Sequence, residues 1–268
     1  MLFIGLKEVA AVLTLLVSSM QLPSESEEYS RTVLTDKVFN SAEMLGRYQR
    51  YNFSPLWLKT GKGGMKNSDE SVLGFIGDDY QRLRIKLLTV RPDVQRPGHY
   101  LITGKSKVGE NILPFKGTFR LLHVRESKTL PKGLDGVPIP AVKMGMLLAE
   151  YELKEPVDQQ NAGVFKGILR TNWYLDRKDK MQYNDINAYS DHFANNQCVG
   201  SWQSYRTKRT KRCNWGDFRI PNDGDLDQGA AEFSPAGKYG VRGWQSYQQA
   251  WLENNAAARQ QEKATWWK

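Results

Sequence analysis

The chain has 268 residues, 40% hydrophobic and 11% aromatic, with a formal charge of +9 and only two cysteines. That apolar content can bury a sizeable core, and all-β chains of this length are commonly one domain. Two thiols alone cannot make a zinc site, and only His99, His123 and His192 are present to help; the basic balance favours anionic partners.

The first residues, Met1 to Lys7, are followed by the uncharged run Val9 to Val17 and by Ser18 and Ser19. This layout predicts a signal peptide over 1–19, with Val17 and Ser19 at the minus-three and minus-one positions of the cut. Glu8 departs from the pattern, and the rival reading is a retained anchor. A spanning helix needs about 20 apolar residues, however, and Lys7, Glu8 and Pro23 leave too short a run, so no transmembrane segment is expected after processing. No cysteine near the cut could carry a lipid. The chain is therefore expected to be exported, to a periplasmic or extracellular location where nucleic acid is not a partner.

The Ser/Glu-rich stretch 20–35 reads as a flexible lead-in, and 36–268 as one β-rich domain. Within 36–51, Ser41 could cap a short helix carrying Met44, Leu45 and Tyr48, and 51–58 reads as extended. The glycines at 61, 63 and 64, with Lys59, Lys62 and Lys66, lack the ending of a phosphate loop and read as a turn.

From 78 to 90, Leu83, Ile85 and Leu87 alternate with Arg82, Arg84 and Lys86, which puts aliphatics on one face of a strand and cations on the other. Two strand–loop–strand units follow, 99–121 and 149–170. Each contains Phe-Lys-Gly, at Phe115-Lys116-Gly117 and Phe165-Lys166-Gly167, with glycine where a sheet bends or another backbone comes close. Together they predict a mainly β fold, an antiparallel meander curving into a sheet or barrel. The Pro- and Gly-rich segment 128–142 between them is a surface excursion.

The densest stretch is 193–251. Trp-Gln-Ser-Tyr occurs at Trp202 and again at Trp244, and Cys198 and Cys213 flank a segment, 206–212, with five cations. In an oxidising compartment the cysteines are expected to pair across a hairpin, contributing about 3 kcal/mol by loop closure. The exposed tip offers Lys208, Arg209, Lys211 and Arg212 to an anionic envelope component such as an acidic glycan or lipid head groups; otherwise it discourages edge pairing. Asp223, Asp225 and Asp227 are spaced for an oxygen-ligated cation, so calcium is the one candidate cofactor, against an ordinary acidic turn. From about 243 the stripe of Trp244, Tyr247, Trp251 and Leu252 predicts a C-terminal helix packed on the sheet.

The strand–loop–strand units around Tyr100 and Tyr151, together with the export signal, resemble exported bacterial proteins built on a lipocalin-like barrel. The Gly-x-Trp of lipocalins stands near their N-terminus, whereas here Gly200-Ser201-Trp202 lies late. The resemblance implies a barrel and assigns no functional residue.

Three functions follow. The preferred one is a binding protein holding a small apolar or carbohydrate ligand among Trp173, Tyr174, Trp202, Trp215 and Trp244, whose rings stack on sugars and fill apolar pockets. The second is an envelope interaction protein acting through the basic hairpin. The third is a hydrolase of an envelope polymer using paired carboxylates from Asp217, Asp225 and Glu232. No nucleophile elbow or metal-spaced histidine pair supports catalysis, so binding is favoured over enzyme activity.

Overall fold

The computed structural model describes residues 24–58, 72–132 and 138–268. The expected signal peptide and the glycine turn with its lysines lie outside these residues. Among the described residues there are nine strands: β1 Val72–Ile76, β2 Gln81–Pro92, β3 His99–Val108, β4 Asn111–Glu126, β5 Ala141–Lys154, β6 Gly163–Asp176, β7 Met181–Tyr183, β8 Asn195–Ser204 and β9 Thr210–Asp217. Each pairs antiparallel with its neighbours. Because β6 takes β8 on one side and β5 on the other, and β9 returns to β1, eight strands close into an up-and-down barrel with β7 as a short flap on β6. A mainly β fold with a closed barrel and C-terminal helices is thus established. Closure removes the edges that an open meander would leave for aggregation.

The alternation read from 82–87 holds. Leu83 and Ile85 point into the barrel and are buried with the inner residues of every other strand. An eight-stranded barrel is only wide enough for side chains to fill it or for one small ligand. Here large aromatics fill most of it, and several stand opposite an inward glycine: Phe115 opposite Gly104, Trp173 opposite Gly145 and Tyr151 opposite Gly167. A Cβ on Gly104 would lie 2.4 Å from the Phe115 ring, and one on Gly145 2.6 Å from Trp173. The Phe-Lys-Gly repeats do place glycine at close backbone approach: a Cβ on Gly117 would be 1.9 Å from the Glu152 carbonyl oxygen and one on Gly167 2.2 Å from that of Val199.

Helices precede and follow the strands among the described residues. Residues expected as a mobile lead-in form helix α1, Glu25–Leu34, closed by a capping box in which the Ser24 hydroxyl accepts from Glu27 N–H and the Glu27 side chain accepts from Ser24 N–H. Its Val33 packs with Phe39, Met146 and Leu148 on the outside of the barrel. Helix α2, Leu45–Tyr48, and helix α3, Ser54–Leu58, plug the end where β2 turns into β3. Met44, not Ser41, precedes α2, and the stretch read as extended before Leu58 is helical from Ser54. Tyr48 packs 4.7 Å from Trp173, and Trp57 lies 4.8 Å from Tyr100 and 5.1 Å from Phe119.

The single C-terminal helix expected from 243 is two helices, α4 Gln245–Trp251 and α5 Ala256–Lys263, preceded by a 3-10 turn at Gly237–Arg242. The chain between them turns through Asn254 at φ 59°. They lie on the outer face of β2, and this explains its cationic side. Arg82 forms a buried two-pronged pair with Glu262 at 2.6 and 2.8 Å, and its guanidinium stacks over Trp244 at 5.1 Å. Arg84 stacks over Trp266 at 5.6 Å and Lys86 over Trp267 at 4.6 Å. The alternate cations of one strand therefore dock the C-terminal segment, in cation–π contacts of the kind worth about 0.5–1 kcal/mol each when exposed.

Candidate functional site

The barrel interior is stacked in layers that the strand register defines. Leu169, Cys198 and Trp215 are cross-strand neighbours in an upper layer; Gly167, Gly200 and Cys213 in a middle one; and Phe165, Trp202 and Lys211 in a lower one. Tyr151 fills the middle layer. Its ring is 4.9 Å from that of Trp215, and its hydroxyl sits over both glycines, 2.6 Å and 2.4 Å from where their Cβ atoms would be. Tyr151 is buried and its hydroxyl has no hydrogen-bond partner among the described residues, which costs about 1–3 kcal/mol for a hydroxyl in that state. The glycines leave it the room and no acceptor.

Among the described residues a cavity lies on each side of this layer. The upper one, about 90 Å3, is walled by Trp57, Leu87, Phe119, Leu169 and Trp215, with Asn196 and Asp217 as its polar edge. A hydrogen-bonded chain holds that edge. The Trp57 indole donates to Thr171 Oγ1 at 3.0 Å, and Thr171 donates to Asn196 Oδ1 at 2.9 Å. Asn196 Nδ2 donates to Asp217 Oδ2 at 2.9 Å, as does the Tyr183 hydroxyl, also at 2.9 Å. Asn196 adopts φ 46° where β8 bulges against β9, which turns its amide inward. Burial, reinforced by the Asp217 carboxylate, pushes the Tyr183 hydroxyl well above its usual range, so it stays protonated and donating.

The lower cavity, about 240 Å3, opens at the end that carries the β1–β2, β3–β4, β5–β6 and β8–β9 turns. Its walls include Phe165, Trp202 and Val108, and its polar groups Asn111, Asn161, Lys211 and Glu155. Glu155 is 5% exposed and held by three donors: it accepts from Ser106 Oγ, from Gly163 N–H at 2.8 Å and from the Trp202 indole N–H at 3.1 Å. Burial outweighs these donors and pushes its carboxyl above the ordinary range. Nothing in the sequence around Glu155 marks it, because its partners come from β3, β6 and β8.

The tryptophan set divides. Trp173, Trp202 and Trp215 are inside the barrel, whereas Tyr174 and Trp244 face outward. Tyr174 packs on Ala141 and Met144, and Trp244 is fully buried beside Phe233, its indole donating to the Tyr80 carbonyl at 2.9 Å. The repeated Trp-Gln-Ser-Tyr therefore has no common structure, one copy lying in β8 and the other leading into α4.

The cysteines correct the expected disulfide. Both are free and buried on the inner face. Cys198 stands opposite Trp215 and Cys213 opposite Gly200, so the two are diagonal neighbours. Diagonal Cα atoms lie roughly 7–8 Å apart, beyond the usual disulfide span of about 4.4–6.8 Å. Burial raises both thiols well above their normal range.

The three carboxylates considered for hydrolysis do not converge. Asp217 faces the interior, Asp225 is on the surface bound to Lys238 and Tyr239, and Glu232 is exposed. In the candidate calcium turn, Asp225 is held by that lysine and Asp227 by Arg219, while burial pushes Asp223 up to about 6. Among the described residues no group of three ligating side chains is placed to hold a metal. In the basic hairpin, Arg206, Lys208, Arg209 and Lys211 are exposed. Arg212 is not part of the tip: it pairs with Glu25 of α1 at 3.1 Å and stacks over Phe75 at 4.9 Å.

The chain matches no known protein family, no characterised protein and no solved structure. Its likeness to lipocalin-like barrels rests on strand number and order alone. No helix among the described residues is long and apolar enough to cross a membrane.

Proposed function

We propose that the protein binds a small apolar molecule in the upper chamber, with its one polar group turned toward Asn196 and Asp217. The observation that carries this reading is an aromatic-walled space with a one-sided polar edge inside a barrel largely filled with side chains. Trp57, Phe119 and Trp215 supply apolar faces, and the polar edge is on one side only, which orients a molecule with a single hydrogen-bonding end. A cavity of roughly 150 Å3 holds benzene, so 90 Å3 suits a shorter chain. A carboxylate at the polar edge favours a hydroxyl or an ammonium over an anion.

The test is a titration with 1-butanol, n-butylamine and butyrate, followed through the indole N–H signals of Trp57 and Trp215 by NMR. The alcohol and the amine should shift both signals and butyrate should bind at least ten-fold more weakly. Leu169→Phe, which fills the chamber from a wall residue, should leave the protein folded and weaken binding by ten-fold or more. If none of the three probes moves either indole, or Leu169→Phe binds as well as the parent, the reading is wrong.

A further inference from the structure

We propose that the lower chamber is a second and separate binding site, for an acidic sugar, that is, a pyranose carrying a carboxylate. Three observations converge on that class. The first is the floor: Phe165 and Trp202 are cross-strand neighbours on the inner face, giving a continuous aromatic surface of the kind that covers the apolar side of a sugar ring. At about 240 Å3 the space is more than twice that of the upper chamber.

The second is the wall. The Asn111 and Asn161 amides border the space, each offering a donor and an acceptor, and Glu155 below them offers only oxygen. The Glu155 contacts to Ser106, Gly163 and Trp202 fix the edge of the indole and leave its face to the cavity. Hydroxyl groups, which donate and accept, match such a lining better than a hydrocarbon does.

The third is the rim. Lys211 stands directly opposite Trp202 in the β8–β9 ladder, on the inner face and exposed, and it makes no ion pair among the described residues. It is the inward-facing member of the basic hairpin, whose Arg206, Lys208 and Arg209 lie just beyond it at the same end of the barrel. A ring lying on Trp202 thus has a cation at its outer edge, where a ring carboxylate would sit, while the buried Glu155 is on the opposite side. The hairpin's charge then steers the anion to the mouth, and Lys211 holds it.

Titration with D-glucuronate and D-glucose, read through the Trp202 indole signal, tests the assignment. At low salt glucuronate should bind about five-fold more tightly than glucose, and that advantage should shrink as salt rises. Lys211→Gln, a change at an exposed position, should bring the two sugars to within about two-fold of each other without altering the melting temperature, a ratio derived from loss of one charge contact. Trp202→Leu should abolish binding of both. Methyl β-D-glucuronide, blocked at the anomeric carbon, separates the two sources of the ligand: equal binding points to the end of a glycan chain and lost binding to the free sugar. Leu169→Phe in the upper chamber should change none of these values, so failure of one site does not carry the other with it. Equal affinity for glucose and glucuronate, no binding of either at millimolar concentration, or full retention of the preference in Lys211→Gln would overturn the proposal.

Discussion

Replacing Glu262 by alanine should destabilise the protein by about 3–5 kcal/mol, the range found when one partner of a buried ion pair is removed. The Glu262 side chain is 4% exposed and that of Arg82 10%, so the guanidinium left behind would be a buried charge without its counter-ion. The loss should fall on the C-terminal segment as a whole. Glu262 also accepts from Ser246, and Arg82 donates to the Gly243 carbonyl, so one carboxylate ties α5, the start of α4 and strand β2 together. Arg82→Met with Glu262→Leu should recover much of the loss, because two apolar groups of similar volume leave no charge to desolvate. Burial alone would raise the Glu262 carboxyl, but the hydrogen bonds and charge of Arg82 outweigh it and hold it below the ordinary value of 4.5. A depressed carboxylate contributes stability above its unfolded pKa and loses it as pH falls through the folded value. Urea unfolding at pH 7 and again below pH 4.5 should therefore show the parent and Glu262→Gln converging in acid. A gap that persists unchanged would place the stabilising role elsewhere.

The second large effect is expected at Gly200. An added methyl there would lie 2.1 Å from the Lys166 carbonyl oxygen, 2.4 Å from the Tyr151 hydroxyl and 2.8 Å from the Cα of Gly167. Two of those three obstacles are backbone of the neighbouring strand, which cannot rotate away. Gly200→Ala should cost about 3 kcal/mol, the upper part of the range for overpacking a core. Tyr151→Phe alone should be neutral or stabilising, since it removes a buried hydroxyl without a partner. Combined with Gly200→Ala it should restore part of the loss and no more, because the Lys166 carbonyl stays where it is. Gly237→Ala is the control: nothing lies within 4 Å of its Cβ position, and it should melt like the parent. If Gly200→Ala also melts like the parent, the close approach of β6 and β8 is not as described.

The barrel was legible because its signals are local. The alternation of Leu83, Ile85 and Leu87 with cations and the two Phe-Lys-Gly units each report a strand and a bend from a few adjacent residues. Strand β1 was not read, since Val72–Ile76 is short and four of its five residues are buried, which leaves no alternation to see. Helix α1 did carry a signal, the Ser24 and Glu27 capping box, but its many charges read as solvent-loving chain. What the outer cations of β2 do was hidden for a different reason. Their partners, Trp244, Trp266, Trp267 and Glu262, stand far along the sequence, and only the fold brings them to Arg82, Arg84 and Lys86. The same holds for both chambers. Trp202 and Trp215 could be named as candidates, whereas Glu155, Asn196 and Trp57 gain their positions from other strands and from the plug.

The seam between β1 and β9 sets the order of events during biosynthesis. Val72–Ile76 leaves the ribosome early and must wait for Cys213 and Asp217 before it has its second neighbour. Until then the growing meander exposes a sheet edge at each side, and the segment after β9 is what finishes the job. Leu73 and Phe75 on the outside of that seam pack with Ile220, Leu226, Phe233 and Trp244, all of which are made after the last strand. Such long-separation pairing makes folding slow relative to local hairpins. The outer cluster accordingly works as a latch on the seam: one side of it, Leu73 and Phe75, is made before the other strands and the other side after β9, and protease cleavage between 220 and 244 should loosen it without touching a single barrel strand.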